Sequence, residues 1–142
     1  MERTLVLVKP DAVKRGLSGE IIARLEKGGL KLVALKMLQS NEVLASKHYA
    51  VHKERPFFKD LISSITAAPI VAALFTGHDA VKRARAIMGA TNPANAEKGT
   101  IRGDLGLSIE ANSVHGSDAI ETAIFESSLY FAESDVVEYD RI

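Results

Sequence analysis

The sequence predicts an α/β (α+β) fold of the ferredoxin-like split βαβ type, a four-stranded antiparallel sheet covered by helices. Two β-branched and leucine-rich runs, at residues 4–8 and 69–75, have the composition of buried strands. Each run leads into a helical pattern, so that the order β-α-β occurs twice. At 142 residues, without repeats or a linker, the chain predicts one domain, residues 1–142.

In the first half of the chain, flanking residues mark where each predicted strand or helix begins or ends. The strand at 4–8 ends at Pro10, which lacks a backbone donor. A helical pattern opens at Ser18 and closes at the glycine pair 28–29. Residues 30–38 alternate as in a strand, with one face formed by Leu30, Leu32, Ala34 and Lys36.

Capping residues mark the next helices. Asn41 is expected to cap a short helix that runs through Tyr49. Pro56 is tolerated in a first turn and begins a helix over residues 57–65. The strand at 69–75 leads into an amphipathic helix at 79–88.

The last third combines a long loop, a short strand and a helix. Residues 89–107 are polar and glycine-rich, and loops of that length are often functional. A strand is expected around 113–114, followed by a helix over 118–131. Asp118 and Glu121 have capping-box spacing at its start. The acidic tail after residue 131 is expected to pack partly against a neighbour.

Composition excludes several classes of protein. The formal net charge is zero, so neither nucleic acid nor an anionic membrane is expected to attract the chain. The absence of cysteine excludes disulfides, thiolate metal sites and cysteine catalysis. The first apolar run is too short for a signal peptide or a membrane span. We therefore expect a soluble, cytoplasmic protein.

The run at 112–118, Asn-Ser-Val-His-Gly-Ser-Asp, is the most informative part of the sequence. It places His115 just before a turn and a predicted helix N-terminus, where unpaired N–H groups favour anions. Neutral imidazole is a nucleophile near pH 7. A nucleophile beside an anion site suggests phosphoryl transfer through phosphohistidine, although a lone histidine near a turn is more often structural.

Other residues suit the binding of a phosphate or a nucleoside. Lys9, Arg85 and Arg102 are candidate cations for phosphate oxygens. Phe57 is a candidate for stacking on a base, and Thr91 and Asn112 offer polar groups for phosphate or sugar. Each of these residues also has an ordinary structural explanation. His48 and His52 have i, i+4 spacing, which suits a metal pair, but no third ligand accompanies them and no metal site is expected.

Over its whole length the chain resembles nucleoside diphosphate kinases. The N-x-x-H-G-S-D signature, at 112–118, carries the resemblance together with four more segments in the same order. These segments are Thr4-Leu5 with Lys9-Pro10-Asp11, the run 52–58 (HKERPFF), the run 89–93 (GATNP) and the run 99–102 (GTIR).

The resemblance implies a ping-pong reaction in which a nucleoside triphosphate phosphorylates Nδ1 of His115 and a nucleoside diphosphate then takes the phosphoryl group. It assigns Glu126 to hold the other ring nitrogen and Ser117 to support Glu126. It also implies that Mg²⁺ is carried by the nucleotide phosphates and has no protein ligands. The implied partners are ATP and other nucleoside tri- and diphosphates. The implied assembly is a homo-oligomer, either a tetramer or a hexamer. The remaining matched positions are Lys9, Tyr49, Arg85, Thr91 and Arg102 at the phosphates, Phe57, Leu61 and Ile109 at the base, and Lys9 and Asn112 at the sugar.

The last helix departs from the family pattern at four positions, Ala119, Ile124, Phe125 and Ser127. The signature and Glu126 are intact, so these changes are expected to affect packing or an interface. The rival hypothesis is a ferredoxin-like binding module, either a nucleotide sensor or an RNA-binding sheet. Zero net charge and the lack of an RNP-type aromatic strand disfavour RNA, and the intact site residues disfavour an inactive sensor.

Overall fold

A computed structural model describes residues 1–142 and contains a four-stranded antiparallel sheet of order β2-β3-β1-β4. This order is that of the ferredoxin-like fold, so the predicted fold class is confirmed. The strands are β1 (Glu2–Val8), β2 (Lys31–Leu38), β3 (Ile70–Gly77) and β4 (Val114–Gly116). The central pair, β1 and β3, supplies most of the buried strand residues because it is covered on both faces.

Seven helices cover the two faces of the sheet. They are α1 (Pro10–Lys14), α2 (Ser18–Lys27), α3 (Glu42–His48), α4 (Phe58–Thr66), α5 (Ala80–Met88), α6 (Ile101–Leu105) and α7 (Ile120–Tyr130). One apolar cluster lies under α2 and α5, where Ile21, Leu25 and Met88 are buried. The second lies under α3, α4 and α7 and includes Ala45, Ile65 and Tyr130. Successive residues of β1 alternate between the clusters, as the period of a strand requires.

The predicted face of β2 is wrong beyond Leu32. The ladder with β3 shifts between Leu32 and Ala34, which is a β-bulge at Val33. Leu32 packs against the first cluster, whereas Val33 and Ala34 both belong to the second. The strand was predicted correctly, but its alternation was not, because the bulge moves every later side chain to the opposite face.

The caps show which local predictions were correct. Asn41 caps α3, since its side chain accepts a hydrogen bond from the amide of Leu44 at 2.9 Å. The predicted pairing of Asp118 with Glu121 does not form. Instead α7 begins at Ile120, and the amide of Ala119 donates to Thr122 Oγ1 at 2.9 Å. Because the N-cap is Ala119 and not Asp118, the third helical residue is Thr122, and its hydroxyl makes the capping contact.

The predicted loop at 89–107 contains regular structure. A 3-10 turn at Pro93–Asn95 and helix α6 occupy part of it. Thr100 caps α6 by accepting from the amide of Gly103 at 3.0 Å. The chain also continues past Pro10 into α1, because proline is well placed at a first helical position. Both short helices were missed because five residues are too few to show a period.

The C-terminal tail packs against its own chain. The amide of Val137 donates to the carbonyl of Val33 at 2.9 Å, so the carbonyl oxygen of the bulged residue has a hydrogen-bond partner. The Tyr139 hydroxyl donates to the carbonyl of Leu32, and Arg141 donates to that of Leu30. The structure has no helix that combines the length and the apolar composition needed to cross a membrane.

Candidate active site

His115 is the central residue of β4 and pairs with Leu7 of β1. It therefore points to the same side of the sheet as Leu7, towards α3 and α7. Its neighbour Gly116 faces the opposite side, where a Cβ atom would lie 2.2 Å from Met88 Cε. Glycine at this position lets α5 approach β4 closely and fixes the strand that presents the histidine.

Ser113 holds the chain in an unusual conformation two residues before His115. Its φ is 75°, in the left-handed region that non-glycine residues rarely adopt. The residue is fully buried, and its carbonyl accepts from the amide of Lys9 at 3.0 Å. Such backbone strain is kept where the surroundings fix it, which is common at functional sites. The contact joins the end of β1 to the start of β4.

Glu126 lies against the ring of His115, as the resemblance implies. Its Oε1 is 3.1 Å from His115 Nε2 and accepts from the Ser117 hydroxyl at 2.8 Å. Burial is the largest influence on its pKa and raises it, but hydrogen bonding and charge from His115, His48 and Ser117 keep the net pKa of Glu126 below its usual value. The carboxylate is thus ionised, and it orients the ring by one nitrogen.

His48 also belongs to this cluster. Its Nε2 is 3.0 Å from His115 Nε2 and 3.5 Å from Glu126 Oε2, while its Nδ1 is 2.9 Å from the Tyr130 hydroxyl. Burial, followed by the neighbouring His115, lowers the pKa of His48 to about 3, so the ring is neutral. Sequence reasoning considered His48 only as a partner of His52, and no local signal indicated a contact 67 residues away.

His48 and His52, which have i, i+4 spacing in the sequence, do not share a helix. His48 ends α3, whereas His52 lies in the 3-10 turn Ala50–His52 that follows. His52 takes part instead in a series of ring contacts, with centroids 5.4 Å from Phe57 and 6.5 Å from Tyr49. Tyr49 is in turn 6.2 Å from His115, and burial raises the pKa of its phenol. Phe57 is thus connected to the site through rings.

Two buried cations lie beside β4. Lys9 Nζ donates to Asn112 Oδ1 at 2.9 Å, and Arg102 donates to the carbonyls of Val114 and Gly89 at 2.7 and 2.9 Å. Burial lowers the pKa of Lys9, and burial followed by the charge of Arg85 lowers that of Arg102 to about 10. At that pKa Arg102 stays charged at neutral pH, and its Nε is buried without a partner. A group with several negative oxygens would compensate this concentration of charge.

The remaining predicted residues are less closely connected. Arg85 and Thr91 are exposed, and the carbonyl of Thr91 accepts from Asn112 Nδ2 at 3.0 Å. Leu61 is half-buried against the second cluster, and Ile109 is half exposed. No hydrogen bond or ring contact joins Leu61 or Ile109 to His115. The helix whose N-terminus was expected close to His115 begins only at Ile120, and the amides of Ser117 and Ala119 in the turn before it are already paired.

A ferredoxin-like sheet that presents an oriented histidine beside two buried cations defines a phosphotransferase-type site. The comparisons with known proteins agree. Residues 2–136 match the nucleoside diphosphate kinase family. A nucleoside diphosphate kinase of Dehalococcoides mccartyi (strain ATCC BAA-2266 / KCTC 15142 / 195) is 64% identical over 141 residues, which cover 99% of each chain.

More distant relatives give the same result. The nucleoside diphosphate kinase of Gloeobacter violaceus is 53% identical over 98% of this chain and 93% of its own. A crystal structure of a nucleoside diphosphate kinase family protein from Babesia bovis is 42% identical, with a TM-score of 0.95 over 99% of this chain and 95% of that one. The chain belongs to the nucleoside diphosphate kinase family. It is a nucleotide-binding kinase that transfers the terminal phosphoryl group of a nucleoside triphosphate to a nucleoside diphosphate, and the family uses a divalent metal ion.

Proposed function

We propose that this transfer is a ping-pong reaction through a phosphohistidine at His115. The observation that supports it most directly is the 3.1 Å contact between His115 Nε2 and Glu126 Oε1. If Nε2 carries the ring proton and donates it to the carboxylate, Nδ1 keeps its lone pair and attacks the terminal phosphorus. The nucleoside diphosphate leaves, and a second one reverses the step at the same site.

The buried cations have the role of stabilising the transferred group. Phosphoryl transfer depends mainly on positioning and on compensation of charge at the phosphate oxygens. Lys9, Arg102 and exposed Arg85 supply positive charge, and Thr91 and Tyr49 offer hydroxyl groups. Arg102 gives up none of its chain contacts if its unpaired Nε reaches a phosphate oxygen. Ser117 holds Glu126, and Glu126 stabilises the imidazolium character that develops as the ring attacks.

Nucleoside binding falls to residues around this centre. Phe57 stacks on the base between Leu61 and Ile109, and Asn112 with Lys9 contacts the sugar hydroxyls. A base that is held by stacking is poorly discriminated, since every base offers a similar face. ATP and other nucleoside tri- and diphosphates are therefore the substrates.

Mg²⁺ is the divalent metal that accompanies the nucleotide. The residues fit an ion carried by the phosphates, because Mg²⁺ prefers several oxygen ligands and the cluster around His115 offers two imidazoles and a single carboxylate. Bound to the phosphates, Mg²⁺ neutralises part of their charge. We further propose that the chain is one domain over residues 1–142 and acts in the cytoplasm as a homo-oligomer, a tetramer or a hexamer.

Incubation with ATP labelled at its terminal phosphate tests the mechanism. The protein should retain an acid-labile, base-stable label through denaturing electrophoresis, and a nucleoside diphosphate should remove it. The His115→Asn variant should fold but lose essentially all label and transfer, because an amide nitrogen is not a nucleophile. His78→Asn, a change at an exposed histidine, is the control. Substantial transfer by His115→Asn would rule out the covalent histidine.

A further inference from the structure

His48, His115 and Glu126 form the one group of three metal-ligating side chains that the structure brings together. Their facing donor atoms are 3.0 Å apart between the two Nε2 atoms and 3.1 and 3.5 Å from these atoms to the carboxylate oxygens. Donor atoms around a tetrahedral Zn²⁺ lie roughly 3.3 Å apart, given bonds of about 2.0–2.1 Å. The spacing of the three groups therefore matches a metal centre without rearrangement of the backbone.

We propose that these three side chains form a binding site for a borderline divalent transition-metal ion such as Zn²⁺, and that the bound ion blocks phosphoryl transfer. Two imidazoles and one carboxylate are ligands that such ions prefer, whereas Mg²⁺ prefers oxygen ligands. The site is therefore separate from the Mg²⁺ that travels with the nucleotide. It differs as well from the His48 and His52 pair considered on spacing, because His52 does not contribute.

The surroundings of the cluster support metal binding. A histidine ligand is normally oriented by a hydrogen bond at its other nitrogen. The Nδ1 of His48 has such a partner in the Tyr130 hydroxyl at 2.9 Å, and Glu126 is held by the Ser117 hydroxyl at 2.8 Å. The side chain of His48 is 1% exposed and that of His115 is 22% exposed. An ion thus enters beside His115, where water completes its coordination.

The competition with catalysis follows from the ring nitrogen that the metal uses. Nε2 of His115 faces the cluster, and a metal takes its lone pair. The ring proton then moves to Nδ1 by exchange with water, so the nitrogen that attacks phosphorus has no lone pair in the ring plane. This block rests on the proposed role of His115. The binding of the metal does not, because it depends only on the three donor groups.

Calorimetric titration of ZnCl₂ into the metal-free protein, without nucleotide, tests the site. We expect one ion per chain, and at least tenfold weaker binding in His48→Gln and in Glu126→Gln. His52→Gln is the matched control and should bind as the wild type does. Replacement of zinc by Co²⁺ should give the intense visible absorption of a low-coordinate cobalt centre. Absence of saturable binding, or equal affinity in His48→Gln, would refute the site.

Two further measurements make the result independent of folding and of the kinase mechanism. Tyr130→Phe removes only the support of His48 and should weaken zinc binding roughly tenfold, the effect usual for an outer-shell partner. If His48→Gln does not fold, Tyr130→Phe replaces it as the test, and unchanged zinc affinity in Tyr130→Phe would contradict the proposal. Zinc should also prevent labelling by ATP in the wild type. Zinc binding without any effect on labelling would overturn the block, whereas failure of labelling by ATP and Mg²⁺ in zinc-free protein would overturn the phosphohistidine.

Discussion

The two faces of the sheet bury apolar clusters of similar size, 14 residues under α2 and α5 and 12 under α3, α4 and α7. The second face also buries a connected polar group, which consists of His48, Ser117 and Glu126 beside His115. Side chains alternate between faces along each strand, so β4 contributes an apolar Val114 to one side and a reactive histidine to the other. We infer that the first face supplies stability and the second supplies chemistry.

The largest effect on stability is expected on the first face. Phe75 is fully buried there, and Phe75→Ala should lower the free energy of unfolding by about 3–5 kcal/mol through lost burial and a cavity. Urea denaturation measures this loss. Transfer per folded molecule should stay near that of the wild type. Phe125→Ala, at a phenylalanine that is 48% exposed, is the control and should cost far less. Equal losses in the two variants would contradict the assignment.

On the second face the expected effect is on rate. Glu126→Gln keeps the shape but removes the charge that orients His115 and stabilises it during attack. Phosphorylation should slow by roughly ten- to a thousandfold, by analogy with other orienting carboxylates. Nucleotide affinity should change little. Stopped-flow labelling of this variant measures the loss of rate. The control is Glu121→Gln, which alters an exposed glutamate of the same helix. A wild-type rate would make Glu126 a structural residue.

A contrast within the second face concerns two adjacent phenylalanines. Phe57 is 45% exposed, whereas Phe58 packs against the second cluster. Phe57→Ala should weaken nucleotide binding by about 1–3 kcal/mol, with purines slightly more affected, if the ring stacks on the base. Phe58→Ala should mainly reduce stability. Equilibrium binding and thermal unfolding of both variants separate these effects, and unchanged affinity in Phe57→Ala would leave Phe57 only a packing role.

The smallest expected effect concerns the helix that carries His48. Asn41 caps α3, so Asn41→Ala should lower the free energy of unfolding by about 1 kcal/mol, as for other N-caps. The effect on transfer should be small, because His48 is held by Tyr130 at the opposite end of the helix. Urea denaturation of this variant measures the loss. The control is Asn95→Ala, a change in an exposed turn. Equal stability of the two variants would mean that the Asn41 cap does not stabilise the protein.

The sequence predicted the elements that depend on neighbouring residues and missed contacts made at a distance. The strands at 4–8 and 69–75 and the cap at Asn41 follow from local composition, and the structure confirms them. The bulge at Val33 depends on pairing with β3 and on the tail, which local alternation does not indicate. The contact between His48 and His115 arises only when α3 packs beside β4. Glu126 was placed by the resemblance, because its spacing from His115 suggests no contact.

The tail has a consequence for the order in which the chain folds. Its hydrogen bonds reach Leu32 in the second strand across 107 residues for Tyr139, and Leu30 just before that strand across 111 residues for Arg141. Contacts between such distant parts of a chain form late, since most of the polypeptide must already be arranged before they are made. During synthesis, β2 emerges early and must wait for nearly the whole chain before this edge is covered. The nascent protein therefore exposes a strand edge that the finished molecule protects.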